Sequence, residues 1–379
     1  MQKNAFIFGA GKTGRGFAAH LAFLGGYDIV LIDKNLQLVN NLKKSGQYDI
    51  QVLGNEKMNC TIRPTHVFHI DDPSWQNIFG STSLVFTSVF GNNFEELSGY
   101  LSTGLNKRYK ENPRQVLTVI TCENYSNAAA DLKNRVLKKM GPEKEKWFSE
   151  KICFSESMIF RTCLDAGIDQ DQLTVRAQNF FELPCDGDSL KEIPQVYGLK
   201  PLKNFGNQLR RKIYTYNCIN AVITYLGAKK GYLQLYQAGN DEEILNIARQ
   251  AAKETSDAQI AEFGFDRVEQ EAWMQAAFEK FADKNLPDPI ERNGADPERK
   301  LSRDDRLIGP ALLALKYSIY PEGLLTGIIA GFDFYDKVKK ISLRELMATK
   351  GIDPILNEVC GLSPGEKLVE LIKEKLNHS

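Results

Sequence analysis

Residues 4–33 read Asn4-Ala-Phe-Ile-Phe8, Gly9-Ala-Gly11-Lys-Thr-Gly14, a helical run to Leu24, Asp28-Ile-Val-Leu-Ile32 and then Asp33. An apolar strand, a glycine-rich turn, a helix and a second apolar strand ending in an acid make a dinucleotide-binding βαβ unit. Gly9 permits the tight turn out of the strand. Gly11 lets the backbone approach a pyrophosphate, and Gly14 lets the helix pack close to the strand. Ala10, Lys12 and Thr13 complete a turn whose free N–H groups, at the positive end of a helix dipole, face the phosphates. Asp33 stands where a carboxylate accepts hydrogen bonds from an adenosine ribose diol and repels a 2′-phosphate. The expected cofactor is therefore NAD, with Lys34 as the one neighbouring cation that opposes the choice.

The alternation continues. Strand-like segments at 48–52, 83–89, 115–121, 152–159 and 172–178 are separated by helical patterns at 37–44, 94–110 and 126–139. This predicts an α/β fold with a Rossmann-type, doubly wound parallel sheet. Ligands of such sheets bind at the carboxyl ends of the strands, so Thr87, Ser88 and Val89, and Cys122 to Asn124, are expected to face the cofactor. Residues 182–205, rich in proline and glycine, read as a linker. From 207 onward helical patterns dominate, at 207–228, 241–263, 266–282, 302–318 and 365–377, with a long loop over 285–297. The expected division is a nucleotide-binding domain over 1–195 and a mostly α-helical C-terminal domain over 196–379.

Composition excludes several classes. Forty-eight basic and 48 acidic side chains cancel, so no global field draws the chain to nucleic acid or to anionic membrane. No apolar run reaches the roughly 18 residues of a membrane span, and a strand begins too early for a signal peptide. Seven cysteines without a CxxC spacing fit reduced thiols in the cytoplasm. The four histidines, His20, His66, His69 and His378, leave residues 70–377 with none. That disfavours a histidine base from the second half and a histidine-rich metal site, and no metal is expected. Tyr335 and Lys339 match a Tyr-xxx-Lys spacing but lie far outside the nucleotide domain.

Lysine is left as the candidate base. The segment Arg210-Arg-Lys212-Ile-Tyr-Thr-Tyr-Asn217-Cys-Ile-Asn220 puts one amine and two amides on a helix otherwise rich in apolar residues. On an ideal α-helix Lys212 and Asn217 lie about 140° apart, with Asn220 between them. By spacing alone, a solvated lysine with asparagines bonded to neighbouring helices accounts for the pattern better than a catalytic group does. Arg210 and Arg211 are nearby cations that would lower a lysine pKa if they lie close. A second cationic group, Arg299, Lys300, Arg303 and Arg306, reads either as a phosphate site or as a solvated face paired with Asp304 and Asp305.

Lys212-x4-Asn217-x2-Asn220 resembles the Lys-x4-Asn-x2-His motif of the polyol-specific long-chain dehydrogenases, the mannitol dehydrogenase family. The resemblance extends along the chain: Gly9 to Phe17 resembles that family's GxGxxGRGF opening, and Thr121-Cys-Glu-Asn124 its Cys-(Asp/Glu)-Asn turn. Tyr225-Leu-Gly227, Arg299-Lys-Leu301 and Asp305-Arg-Leu-Ile308 are similar to the branch acting on sugar alcohol phosphates. The resemblance implies an NAD-dependent enzyme interconverting a sugar alcohol phosphate and a ketose phosphate, mannitol 1-phosphate and fructose 6-phosphate in the simplest case. It implies Lys212 as general base and acid, with Asn124 and Asn217 holding the reacting oxygen. Asn220 completes the catalytic set, and Arg161, Arg299 and Lys300 contact substrate. Two departures stand out: Asn220 replaces the family's histidine, and Phe160 replaces an acid ahead of Arg161. They leave open an unphosphorylated polyol or hexuronate as substrate, or an NAD-binding sensor with weakened chemistry.

Overall fold

The computed structural model describes residues 3–123, 127–165 and 173–378. The chain forms two compact units, Met1–Gly206 and Asn207–Ser379. The division falls beyond residue 195 because the stretch read as a linker is structured. It holds strands β11 (Leu183–Asp186) and β12 (Leu199–Leu202), which pair in parallel with Leu183 and Cys185 fully buried.

The first unit is built on a six-stranded sheet. Its strands are β1 (Asn4–Phe8), β2 (Asp28–Asp33), β5 (His66–His69), β6 (Leu84–Thr87), β7 (Leu117–Thr121) and β8 (Ile152–Glu156), in the order β5-β2-β1-β6-β7-β8. All pairings are parallel. This is the doubly wound order with its reversal beside β1, the point at which such sheets open a ligand crevice. Strand β1 shows why the sheet is covered on both faces. Ala5 and Ile7 enter one core cluster, Phe6 and Phe8 the other, and all four are fully buried.

Tyr48–Leu53 (β3) does not join this sheet. It pairs with β10 (Val175–Gln178) and with β4 (Cys60–Ile62) in a separate four-stranded sheet completed by β9 (Cys163–Asp165). The reason lies in its own pattern. Tyr48, Ile50 and Val52 are buried while Asp49 is exposed, so only one face of the strand can be covered.

The second unit is helical. Its central helix, Cys218–Lys229, is buried on nearly every side and packs against Glu242–Phe263 and Glu322–Asp333. The last of these is absent from the sequence reading, because Gly323, Gly327 and Gly331 resemble helix breakers. Their spacing of four puts all three on one face. Added Cβ atoms would meet Ala251 N at 2.5 Å, Val222 Cγ2 at 2.8 Å and Tyr225 Cε2 at 3.1 Å. The glycines are there for close helix approach. Glu254, itself buried, accepts hydrogen bonds from the N–H groups of Gly323 and Leu324 at 2.8 and 3.1 Å, at the positive end of that helix. The expected loop over 285–297 contains the short helix Ile290–Gly294.

Candidate active site

In the first unit the glycine turn is shaped by what cannot fit. Gly9 has φ +92°, and a Cβ there would lie 2.2 Å from the Ser88 carbonyl oxygen. A Cβ on Gly14 would lie 1.8 Å from the Gly9 carbonyl oxygen, whereas one on Gly11 meets nothing within 4 Å. Gly14 thus closes the turn on its own backbone, Gly9 lets it pass against the Ser88 carbonyl, and Gly11 leaves its surface open. The Asp33 carboxylate accepts the Ala10 N–H at 2.7 Å and the Asn35 N–H at 2.8 Å, which ties the turn to the end of β2. Each oxygen retains a lone pair for a ribose hydroxyl. Lys34 is held by Asn93 Oδ1 at 2.6 Å, with Glu96 at 3.7 Å.

A cleft is lined by Gly9, Gly11, Asp33, Ser88 and Val89, with Ile70 and Leu97 among its apolar walls. An open glycine turn, an acid at the strand end and apolar walls fit a dinucleotide. Thr87 does not face this cleft. It is fully buried and donates its hydroxyl to Glu123 at 2.9 Å, because β6 is still inside the sheet there. Lys12 is exposed and paired with Asp165 at 2.7 Å, and Thr13 is half-buried. The sequence reading missed the part played by Arg15. Its Nε donates to the Ala10 carbonyl at 2.8 Å and its guanidinium reaches the Leu173 carbonyl, so it braces the turn from beneath.

Arg161 corrects an expectation. Only 3% exposed, it donates to the carbonyls of Gln178 at 2.7 Å and Gly16 at 3.1 Å, and lies 3.0 Å from His20 Nδ1. It fastens the first helix to β10, with internal partners in place of an open position. Burial, and then the Arg161 charge, push the His20 pKa down to about 3, which leaves its ring neutral to accept from the guanidinium. Phe160, where the family has an acid, packs against Phe180 at 5.7 Å.

Asn124 lies outside the described residues. Its neighbour Glu123 is buried and also accepts the Val89 N–H at 3.1 Å. Burial raises the Glu123 pKa to about 7. Glu156 on β8 is raised to about 7 by the same cause, against the lowering effect of the Ala128 and Asn127 N–H groups.

In the second unit the lysine helix is not uniform. Phe205–Lys212 is α-helical, Ile213–Asn217 is a π-helical turn, and α-helix resumes at Cys218. The Cys218 N–H reaches the Ile213 carbonyl, a step of five residues. In such a turn residues five apart stand one above the other, as residues four apart do in an α-helix. The π turn therefore carries Asn217 from the expected 140° separation round toward the face of Lys212. π turns of this kind occur frequently at functional sites.

Lys212 is 5% exposed. Burial pushes its pKa down to about 7, helped by the Arg306 and Lys280 charges and opposed by Asp305. The assisting cations are therefore not Arg210 and Arg211. The Arg211 Nε donates to Gln270 at 2.7 Å and its guanidinium stacks over Phe265 and Trp273, and Arg210 lies over Phe263. Asn217 and Asn220 are half-buried, and Asn220 Nδ2 donates to Asn293 Oδ1 at 3.2 Å.

The second cationic group separates. Lys300 is 6% exposed and donates to the carbonyls of Asn293 and Ala295, both at 2.5 Å. Burial, then the Arg306 and Arg299 charges, lower its pKa to about 7. Arg299 pairs with Asp296 at 2.7 Å and Asp305 at 3.2 Å, and Arg306 with Asp305 at 2.7 Å. Arg303 turns away to Glu366 and the Gly361 carbonyl, both at 2.9 Å. Asp305 thus links Arg299 and Arg306, and both cations act on Lys300. Asn293, which the sequence reading did not single out, joins Lys300 to Asn220.

The mannitol dehydrogenase Rossmann domain model matches residues 3–196, and the mannitol dehydrogenase C-terminal domain model matches residues 206–377. A mannitol-1-phosphate 5-dehydrogenase of Bacillus pumilus is 29% identical over 373 residues, covering 97% of this chain and 98% of its own. One from Caldanaerobacter subterraneus is 28% identical over 375 residues, covering 98% and 97%. Among solved structures, a D-sorbitol dehydrogenase aligns with TM-score 0.72 at 15% identity, covering 88% of this chain and 80% of its own. The Pseudomonas fluorescens mannitol 2-dehydrogenase ternary complex with NAD and D-mannitol aligns with TM-score 0.71 at 13% identity, covering 95% and 86%. These two show a shared fold. The two family models between them span almost the whole sequence, and the chain belongs to the mannitol dehydrogenase family.

Proposed function

We propose that the protein is an NAD-dependent oxidoreductase that interconverts a sugar alcohol phosphate and its ketose phosphate, mannitol 1-phosphate and fructose 6-phosphate. One observation carries the chemistry: Lys212, buried with its pKa lowered to about 7, on a helix whose π turn brings Asn217 toward it. The substrate pair follows from the full-length relatives, which are mannitol-1-phosphate 5-dehydrogenases. Free cysteines throughout the described residues fit a reducing cytoplasm. No described helix is long and apolar enough to cross a membrane.

Bound NAD would supply the acceptor for the carbinol hydride, and NADH the donor in the reverse direction. The turn at Gly9, Gly11 and Gly14 holds its pyrophosphate, and Asp33 its adenosine ribose. Neutral Lys212 takes the hydroxyl proton as the alcohol is oxidised and returns it in the reverse direction. The Asn217 amide donates to the oxygen as it gains alkoxide character. Asn124 carries the same expectation from the sequence. Asn220 cannot titrate, so in place of a histidine it only orients. NADH oxidation screened against fructose 6-phosphate, fructose and hexuronates tests the reading. Turnover of fructose alone would move it to the unphosphorylated polyols, a choice favoured by the internal partners of Arg299, Lys300 and Arg306. No turnover with any of them would favour a sensor.

NAD(H) is expected to bind more tightly than NADP(H). A 2′-phosphate would meet the Asp33 carboxylate, and Lys34 is already committed to Asn93. Calorimetry with both cofactors checks this, and equal affinities would remove Asp33 from its role. For the substrate phosphate, Arg299→Ala and Lys300→Ala are each expected to raise KM for fructose 6-phosphate about tenfold or more, the scale of one lost charge-assisted hydrogen bond. NADH affinity should hold. Unchanged KM in both variants would assign these cations to the Asp296–Asp305 network alone.

A further inference from the structure

Phe90, just beyond β6, holds a backbone conformation of φ 63°, ψ 144°. Positive φ is an outlier for a bulky side chain, and this ψ carries it toward a region that essentially only glycine visits. Two other positive-φ residues differ from it. Asn127 (φ 64°, ψ 22°) and Asp296 (φ 59°, ψ 57°) sit in the left-handed region, which short polar side chains tolerate.

The conformation is imposed from both sides. The Ser88 N–H donates to the Phe8 carbonyl at 2.8 Å and the Val89 N–H to Glu123 at 3.1 Å. The Val89 carbonyl accepts from Asn93 Nδ2, and the Asn93 N–H donates to the Phe90 carbonyl at 3.0 Å. The strain serves no burial of the side chain: Phe90 is 80% exposed. A glycine would hold this backbone without strain, and the unliganded unit would lose no packing. Strain that is held in place yet serves no packing is a mark of functional positions.

Phe90 is one of the residues lining the cleft that carries Gly9, Gly11 and Asp33, together with the apolar Ile70 and Leu97. A cleft lined by an aromatic residue and apolar side chains, next to an acid suited to a ribose diol, matches a flat purine. We propose that Phe90 is a cofactor-binding residue: its ring covers the adenine half of the dinucleotide, and the strained backbone holds it there. The proposal rests on the NAD reading above.

Calorimetric titration of the protein with NADH and with ADP-ribose, which lacks the nicotinamide, tests it alongside the melting temperature of each unliganded variant. Phe90→Gly is expected to raise that Tm while weakening NADH and ADP-ribose alike, by about tenfold, the scale of one base–aromatic stack. Phe90→Tyr, which keeps the ring, should bind both within about twofold of wild type. Phe90→Gly binding ADP-ribose as wild type does would overturn the proposal, and so would a loss confined to NADH. A Tm and an affinity that fall together would also overturn it, because that is the signature of a structural role. Wild-type protein that binds NADH but whose variants do not differ leaves the NAD reading standing. Wild-type protein that binds neither ligand ends both.

Discussion

Lys212→Ala is expected to lower kcat by about 100-fold or more, the usual scale for losing general acid–base help, with NADH affinity almost unchanged. The amine is buried, and its pKa lies near neutrality because burial, Arg306 and Lys280 all disfavour the ammonium form. Alcohol oxidation needs the neutral amine. Its rate should therefore rise with pH through about 7 and level off above. Ketose reduction needs the ammonium form and should fall over the same range. Arg306→Gln removes one of the cations that lower the pKa, so both limbs should move to higher pH. Steady-state rates in the two directions, from pH 5.5 to roughly two units above 7, check each of these. A Lys212→Ala variant that keeps wild-type kcat and both pH limbs would show that the base is another group.

Gly14→Ala is expected to abolish measurable NADH binding and to lower stability by about 1–3 kcal/mol or more, the cost of overpacking a tight site. The added Cβ would stand 1.8 Å from the Gly9 carbonyl oxygen, which is backbone and cannot rotate aside. Relief requires the turn to move off the helix start. That shifts Gly9, whose own Cβ position faces the Ser88 carbonyl at 2.2 Å, and breaks the line from Asp33 to the Ala10 N–H. Gly11→Ala is the control: its Cβ meets no protein atom, so the fold should keep its Tm while bound pyrophosphate is crowded. Thermal melts and NADH titrations of the two variants separate the effects. A Gly14→Ala protein with wild-type Tm and affinity would mean that the turn is looser than its geometry.

The nucleotide-binding half was legible because its signals are local. Gly9, Gly11 and Gly14 act within one turn, Asp33 closes the next strand, and the apolar run 5–8 of β1 states that both sheet faces are covered. Even β3 carried its own exception in the alternation of Tyr48, Ile50 and Val52 with Asp49, although the reading assigned it to the main sheet. Glu322–Asp333 was not legible, because three glycines stabilise a helix only when another helix lies within reach of their bare faces.

By itself the sequence determined the cofactor fold, the helical second half and the residue types of the catalytic helix, since period, glycine placement and motif spacing are properties of neighbouring positions. Tertiary structure alone decided which charges act. Arg161 is drawn inward by carbonyls at 16 and 178, so an expected substrate contact becomes a brace. Lys212 is tuned by Arg306 and Lys280, far along the chain, and not by its neighbours Arg210 and Arg211, which turn to aromatic rings. Burial and Coulomb interactions depend on distance in space, and in a folded chain the nearest charge in space need not be the nearest in sequence.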